Sequence, residues 1–296
     1  MKNVSPPAMA SLSEAVSGFG AVVVTGGSSG IGKSFIGTMG IMRPDLEFFN
    51  LSRHAPDIKD SKLNLRHFPC DLAQPSQVEA VVAELEEILN RDRSAGRILL
   101  INNSGFGSYG PFPEPNLAHQ LGMIDVNVRA LVQLTARLLP ALRARGGVVM
   151  NIASTAAFQP TPWMATYGAT KAFVLHWSLA LDEELRGSGV RALAVCPGPT
   201  ATNFFKAAGL SEAPLPDGSG ETCEQVVMAS LRALAAGKSQ VVSGWRNKML
   251  AALGSRVPKP LAARVAAKLI ARYRPLPHST GSASSPPASS GQVKKP

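Results

Sequence analysis

The sequence predicts an α/β fold: about seven strands in a doubly wound parallel sheet with helices on both faces. Three observations carry this expectation. Strand-like runs at 21–25, 46–51, 65–69, 97–101, 147–152, 190–195 and 240–242 alternate with helix-patterned segments at 31–41, 75–92, 117–144, 165–186 and 222–236. The runs are almost continuously apolar (RILLI, GVVMNI, VRALAV), as strands covered on both faces must be. The first run feeds a glycine cluster, Thr25-Gly26-Gly27-Ser28-Ser29-Gly30-Ile31-Gly32, which opens a helix. In such sheets ligands sit beyond the carboxyl ends of the strands, so each strand end is a candidate site.

The glycine cluster has the chemistry of an anion cradle. Glycines let the backbone approach a phosphate without Cβ atoms in the way, and the unpaired N–H groups of the helix start point at its charge. Three patterns overlap on these residues. Gly26 to Gly30 fits G-x-S-x-G, the nucleophile elbow of serine hydrolases. Gly27 to Ser34 (GSSGIGKS) fits the P-loop of ATP- and GTP-binding proteins, with Lys33 and Ser34 in the phosphate and magnesium roles. Thr25, Gly26, Gly30 and Gly32 fit T-G-x-x-x-G-x-G, a dinucleotide fingerprint. The rest of the chain decides among them.

The 296 residues are 45% hydrophobic, enough for one well-buried α/β domain. No run approaches a membrane span and the N-terminus lacks the apolar core of a signal peptide, so a cytoplasmic protein is expected. Cys70, Cys196 and Cys223 lack C-x-x-C spacing and are expected to be reduced thiols, with no metal site. The net charge of +10 is local. From Gly237 onward there are eleven Lys or Arg and no Asp or Glu, whereas the preceding 236 residues carry 19 basic and 20 acidic groups. With no nucleic-acid motif present, a nucleic-acid partner is not expected.

The later strand ends supply further candidates. After the second strand, Ser52 and Arg53 stand where an NAD-specific site places a carboxylate; a guanidinium there suits a 2′-phosphate and favours NADP(H). After the fourth comes Asn102-Asn103-Ser104-Gly105. The fifth ends near Ser154, and the next helix carries Tyr167 and Lys171, four apart and on one face. The two other tyrosines, Tyr109 and Tyr273, have Pro where that Lys would stand. A free phenol titrates near ~10, but an ammonium ~4 Å away favours the phenolate by about 4 kcal/mol at an effective dielectric of ~20. That coupling is expected to bring Tyr167 close to working pH, with Ser154 stabilising charge on the substrate oxygen.

Taken together, TGGSSGIG at 25–32, Asp71, NNSG at 102–105, Asn127 in a V-N-V run, Ser154 thirteen residues before Tyr167, Lys171, and Pro197-Gly198 with Thr202 resemble the short-chain dehydrogenase/reductase family. The resemblance covers roughly 20–243 and implies a Rossmann fold exchanging hydride between NAD(P) and an alcohol or carbonyl carbon. It makes Tyr167 the proton donor or acceptor, Ser154 the orienting hydroxyl, Lys171 the group that holds the nicotinamide ribose, and Asn127 the support of a proton relay. It gives the cofactor Thr25, Gly26, Ser28, Ser29, Gly30, Ile31 and Gly32, then Ser52 and Arg53. Asp71 and Leu72 contact adenine, Asn103, Ser104 and Gly105 the adenosine-side ribose, and Pro197, Gly198, Thr200 and Thr202 the nicotinamide end. Ser104 departs from the usual Ala. A homodimer or homotetramer through the helices at 117–144 and 165–186 is also implied. The P-loop reading lacks a second apolar strand ending in Asp, the hydrolase reading a downstream loop His, and both leave Tyr167 and Lys171 unexplained. A catalytically idle NADP(H)-binding subunit is the remaining alternative, though its usual mark, loss of the Tyr or Lys, is absent.

Aromatic residues near the strand ends, Phe106, Tyr109, Phe112, Phe158, Trp163, Phe204 and Phe205, with Met164, predict a pocket for a small hydrophobic substrate: an acyl-chain, steroid-like or aromatic ketone. The Gly- and Pro-rich stretch 203–221 is expected to form a lid. Outside the catalytic domain at 20–243 lie an N-terminal extension at 1–19, a basic helical segment at 244–277 and a Ser/Pro/Gly-rich tail at 278–296 expected to be disordered. In the basic segment, Val265, Leu269, Ile270 and Tyr273 form a stripe expected to pack on the body, with Arg264, Lys268 and Arg272 solvated. The competing reading is weak peripheral attachment to an anionic membrane.

Overall fold

The computed structural model describes residues 12–59, 62–91, 96–202, 204, 208 and 220–270. The tail at 278–296, Tyr273, Phe205 and most of the expected lid lie outside the described residues.

Seven strands form one parallel sheet: β1 (Phe19–Thr25), β2 (Glu47–Ser52), β3 (Leu65–Pro69), β4 (Arg97–Asn102), β5 (Gly147–Ile152), β6 (Val190–Cys196) and β7 (Gln240–Val242). Their order across the sheet is β3-β2-β1-β4-β5-β6-β7. The order reverses beside β1, which pairs with β2 (Val22↔Phe48) on one side and β4 (Val22↔Leu99) on the other. That crevice is where a doubly wound sheet binds its ligand.

Alternate residues of each strand feed two cores. Val22, Val24, Leu99 and Ile101 pack with α1 (Gly30–Met42) and α6 (Cys223–Ala235). Ala21, Val23, Ile98 and Leu100 pack with α2 (Pro75–Arg91) and α4 (Ala130–Arg145), while α5 (Ala165–Glu184) covers β6 on that same side. A short helix at 12–16, in the stretch assigned to an extension, buries Leu12 and Val16 in the first of these cores. Two further helices, α7 (Trp245–Arg256) and α8 (Lys259–Ile270), follow β7.

The helix expected at 117–144 is interrupted. It forms α3 (Leu117–Ile124), a π-helical turn at Asp125–Arg129, and then α4. A π turn widens the helix by one residue and disrupts its i→i−4 ladder. Asn127 sits inside it, buried.

Candidate active site

A cleft of about 680 Å³ opens at the carboxyl ends of the strands. Its floor is the glycine turn. Gly26 and Gly30 have φ of 70° and 54°, the left-handed region glycine adopts without steric cost. A Cβ on Gly32 would stand 2.5 Å from the Gly26 carbonyl oxygen and 2.6 Å from Asn103 Nδ2, so only glycine lets the helix start so close to the turn. Ser29, at the N-cap of α1, leaves the first helical N–H groups without a side-chain cap. This is a cradle that a phosphate fits.

Buried polar groups hold the turn from behind. Thr25 Oγ1 accepts from the backbone N–H groups of Asn103 and Ser104, both at 2.9 Å, and Asn103 Nδ2 donates to the Thr25 carbonyl at 2.9 Å. Asn50 Oδ1 accepts from Gly27 N at 2.8 Å. The sequence reading missed Asn50, although one Asn in the run LEFFNL was the signal. Also missed is a buried chain across β4, β5 and α5, in which Asn102 Nδ2 donates to Asn151 Oδ1 and Asn151 Nδ2 to Ser178 Oγ, both at 2.8 Å.

Ser28, Ser29, Ile31, Ser52, Arg53, Asp71, Leu72, Asn103, Ser104 and Gly105 all line the cleft, as do Pro197, Gly198, Thr200 and Thr202 at the other end. Thr25 and Gly32 act from beneath it. Arg53 is exposed at the rim with no ion-pair partner among the described residues. Lys33 and Ser34 line a separate depression that shares only Gly30 and Thr202 with the cleft, so the P-loop roles have no geometric support.

Ser154, Tyr167 and Lys171 converge on the cleft. Ser154 Oγ accepts from Ala156 N at 3.1 Å, which fixes its rotamer, and hydrogen-bonds the Tyr167 phenol. Lys171 Nζ donates to the Ile152 carbonyl at 2.7 Å and lies 6.0 Å from the centre of the Tyr167 ring. The expected acidification of Tyr167 is not what this geometry gives. Burial pushes the phenol up to about 12, the Ser154 hydrogen bond offsetting only part, and burial holds the Lys171 ammonium down to about 8. Both groups are removed from water, and desolvation outweighs an attraction acting across that separation.

Asn127 does not line the cleft. It stands behind Phe106, accepting from the Phe106 N–H at 3.1 Å and donating to the Phe106 carbonyl and to Thr170 Oγ1, both at 3.0 Å. It thereby clamps the loop after β4 to α5.

Of the aromatic residues, Phe106, Tyr109 and Phe204 line the cleft together with Met164, and the Phe204 ring lies 5.0 Å from that of Tyr167. Phe158 and Trp163 do not. Phe158 packs into the cluster around Val174 and Leu175, and Trp163, whose backbone takes a φ of 68°, lines a separate cavity with Phe112 and Gln120. The cleft also has a wall that the sequence did not announce, Ile270 at the end of α8, whose carbonyl accepts from the Tyr109 hydroxyl at 2.8 Å.

Known proteins are similar to this chain in sequence and fold. A family model described as short chain dehydrogenase matches residues 20–213. The serine 3-dehydrogenase of Rhizobium radiobacter is 39% identical over 107 residues, 36% of this chain and 43% of that protein. The very-long-chain 3-oxoacyl-CoA reductase of Rattus norvegicus is 31% identical over 195 residues, 62% of this chain and 60% of that one. The chain thus spans about half the length of the curated relatives it matches. Among solved structures, a short-chain dehydrogenase from Sphingobium yanoikuyae in complex with NADPH superposes with a TM-score of 0.66 at 27% identity, covering 82% of this chain and 98% of that one. A bulky-bulky ketone specific alcohol dehydrogenase from Comamonas testosteroni gives 0.63 at 25%, covering 84% and 98%. A family match over most of the chain, a sheet reversing beside β1 and a Ser–Tyr–Lys group at its carboxyl edge agree: this chain belongs to the short-chain dehydrogenase family.

Proposed function

We propose that the protein is an NADP(H)-dependent reductase of a hydrophobic ketone, with Tyr167 as its general acid. The observation that carries this is the convergence of Ser154, Tyr167 and Lys171 at one end of a cleft whose other end is a glycine phosphate cradle. NADPH, when bound, supplies the hydride. The cradle at Gly26 to Gly32 holds its pyrophosphate, and Arg53, with no competing carboxylate, offers a bidentate partner for the 2′-phosphate. The NADPH complex of the Sphingobium relative supports this choice.

Each catalytic side chain has a task that its surroundings set. Ser154, its hydroxyl fixed by Ala156 N–H, orients the carbonyl oxygen. Tyr167, kept protonated by burial, donates a proton to that oxygen as charge develops there, which suits reduction. Lys171, anchored on Ile152, holds positive charge at the floor and offers its remaining N–H donors to the ribose. Asn127 fixes the Phe106 wall rather than touching substrate.

The substrate is apolar because Phe106, Met164, Phe204 and Ile270 form the wall around Tyr167. The acyl-CoA and bulky-ketone activities named for the rat and Comamonas relatives favour the same class. Exposed Leu117, Leu121, Ile124 and Phe173 on α3 to α5 are the surface through which a homodimer or homotetramer forms.

The test is a fluorescence titration with NADPH and NADH, followed by nicotinamide absorbance with a panel of apolar ketones, on wild type and Tyr167→Phe. Both proteins should bind NADPH, with turnover falling roughly 10²–10⁴-fold in the variant. A Tyr167→Phe protein with wild-type turnover refutes the role of the phenol, and absence of NADPH binding refutes the cofactor.

A further inference from the structure

The two C-terminal helices are built inside out. In α8 the alanines face the protein, Ala262 buried and Ala266 and Ala267 half-buried, while Leu261, Val265 and Leu269 recur every fourth residue on the outer face. In α7, Ala251 is buried and Gly254 lies against Gln159, while Trp245, Met249 and Leu253 repeat at the same spacing outward, beside Leu250. These seven large apolar side chains are 49–67% exposed. Of the stripe expected to pack on the body, Val265 and Leu269 therefore face away from it, Ile270 is cleft wall, and Tyr273 lies outside the described residues. A helix that places its small residues inward and its large apolar ones outward leaves most of its hydrophobic area unburied.

The charge on this surface has one sign. Residues 245–270 contain Arg246, Lys248, Arg256, Lys259, Arg264 and Lys268 and no acid. Of these, Lys259 is tied to the Phe158 and Gly254 carbonyls, and the Arg246 guanidinium lies 5.4 Å from the centre of the Trp245 ring. No helix among the described residues is long and apolar enough to cross a membrane.

Both ends of this hairpin touch the cleft. Asn247 packs on Gly198 and donates to Glu221 at 3.0 Å, and Glu221 in turn bridges to Thr200 and holds the Ala201 N–H through its carbonyl. At the far end Ile270 is cleft wall, bonded to Tyr109.

We infer that the outer face of α7 and α8 docks on an anionic lipid bilayer surface, lying in its plane and setting the Ile270 side of the cleft against the lipid. Large apolar side chains interleaved with unopposed cations match the interface between acyl chains and acidic headgroups, where each Lys or Arg adds attraction to the apolar burial. A second copy of the chain would bring the same cations face to face. The tail at 278–296 has one aliphatic residue larger than proline, Val293, and so has little apolar area to offer such a face. The inference goes beyond the reductase reading and does not depend on it.

The experiment is flotation of the full chain with phosphatidylcholine vesicles, with and without phosphatidylglycerol. Two variants accompany it, Arg264→Gln/Lys268→Gln and Trp245→Ser/Met249→Ser/Leu253→Ser, with circular dichroism and thermal unfolding reporting that each is folded. Wild type should float with the acidic vesicles and not with neutral ones, and added salt should release it. At about fivefold per cation, the charge variant should partition roughly thirtyfold more weakly. The apolar variant should lose flotation. Failure of wild type to float, or flotation unchanged in both variants, overturns the inference. So does a wild-type oligomer that the apolar variant dissociates without vesicle binding in either, since the face then belongs to a second copy.

Discussion

Replacing Lys171 by Met should make the fold more stable while removing the cation proposed to serve the reaction. Burial holds the Lys171 ammonium down to about 8, against an ordinary value of 10.5. At about 1.36 kcal/mol per pH unit, keeping the lysine charged inside the folded protein costs about 3 kcal/mol at neutral pH. Methionine fills similar volume without the charge but leaves the Ile152 carbonyl without its Nζ donor, a loss of about 1 kcal/mol. The variant should therefore gain about 2 kcal/mol near pH 7. The sign of the pH dependence follows from the same numbers. Between 8 and 10.5 the unfolded lysine holds its proton while the folded one has released it, so wild-type stability from this group rises with pH across that window. By about pH 10 the variant's advantage should have fallen to near zero. Burial also raises the Cys70 thiol to about 11 and Cys196 to about 12, which lowers stability in alkali, but both proteins share those thiols and their difference cancels most of it. Guanidinium unfolding of cofactor-free wild type and Lys171→Met across this range is the assay. A variant less stable than wild type at neutral pH, or a gap that does not narrow with rising pH, refutes the reasoning.

Three further outcomes follow from the site. Arg53→Ser should weaken NADPH relative to NADH by roughly ten- to a hundredfold, the loss of a charged hydrogen-bonding partner, measured by paired fluorescence titrations. Gly32→Ala places a methyl 2.5 Å from the Gly26 oxygen; it should lower stability by about 1–3 kcal/mol and dinucleotide affinity by at least about tenfold, since α1 must move away from the turn. Asn151→Ala removes the acceptor of one buried Asn102 N–H and the N–H that Ser178 Oγ accepts, while Asn102 keeps Thr135 and Ser178 keeps the Val174 carbonyl; it should cost about 1–3 kcal/mol in denaturant unfolding, with cofactor affinity of the folded fraction unchanged.

The sheet was legible because strands buried on both faces must be apolar throughout, and RILLI, GVVMNI and VRALAV form β4, β5 and β6 within a residue of their expected limits. The glycine turn was legible for a similar reason: no other residue satisfies both the left-handed φ and the close approach. What escaped depends on partners distant in the chain. The π turn around Asn127 has ordinary helical composition, and it forms where Asn127 reaches Phe106 and Thr170. The stripe on α8 was visible as a stripe, but periodicity gives two faces without saying which turns inward; here the alanine face does, because small side chains permit close packing. Phe158 and Trp163 fell near Ser154 in sequence yet were drawn into other packing. The titration of Tyr167 was misjudged because spacing reveals a neighbouring ammonium and not the loss of water around both groups.

The bond from Tyr109 to Ile270 spans 161 positions of the chain. During synthesis at about 5–20 residues per second, the Phe106 and Tyr109 side of the cleft waits roughly 8–32 seconds for its opposite wall to be made. Tyr167 is made 103 positions before Ile270, so for roughly the last 5–21 seconds of that interval the glycine turn, Ser154 and Tyr167 can be in place while the apolar lining stays open to water and to other nascent chains. The helix that ends at Ile270 therefore closes this side of the cleft, and a chain interrupted before position 270 would carry Ser154 and Tyr167 without that wall.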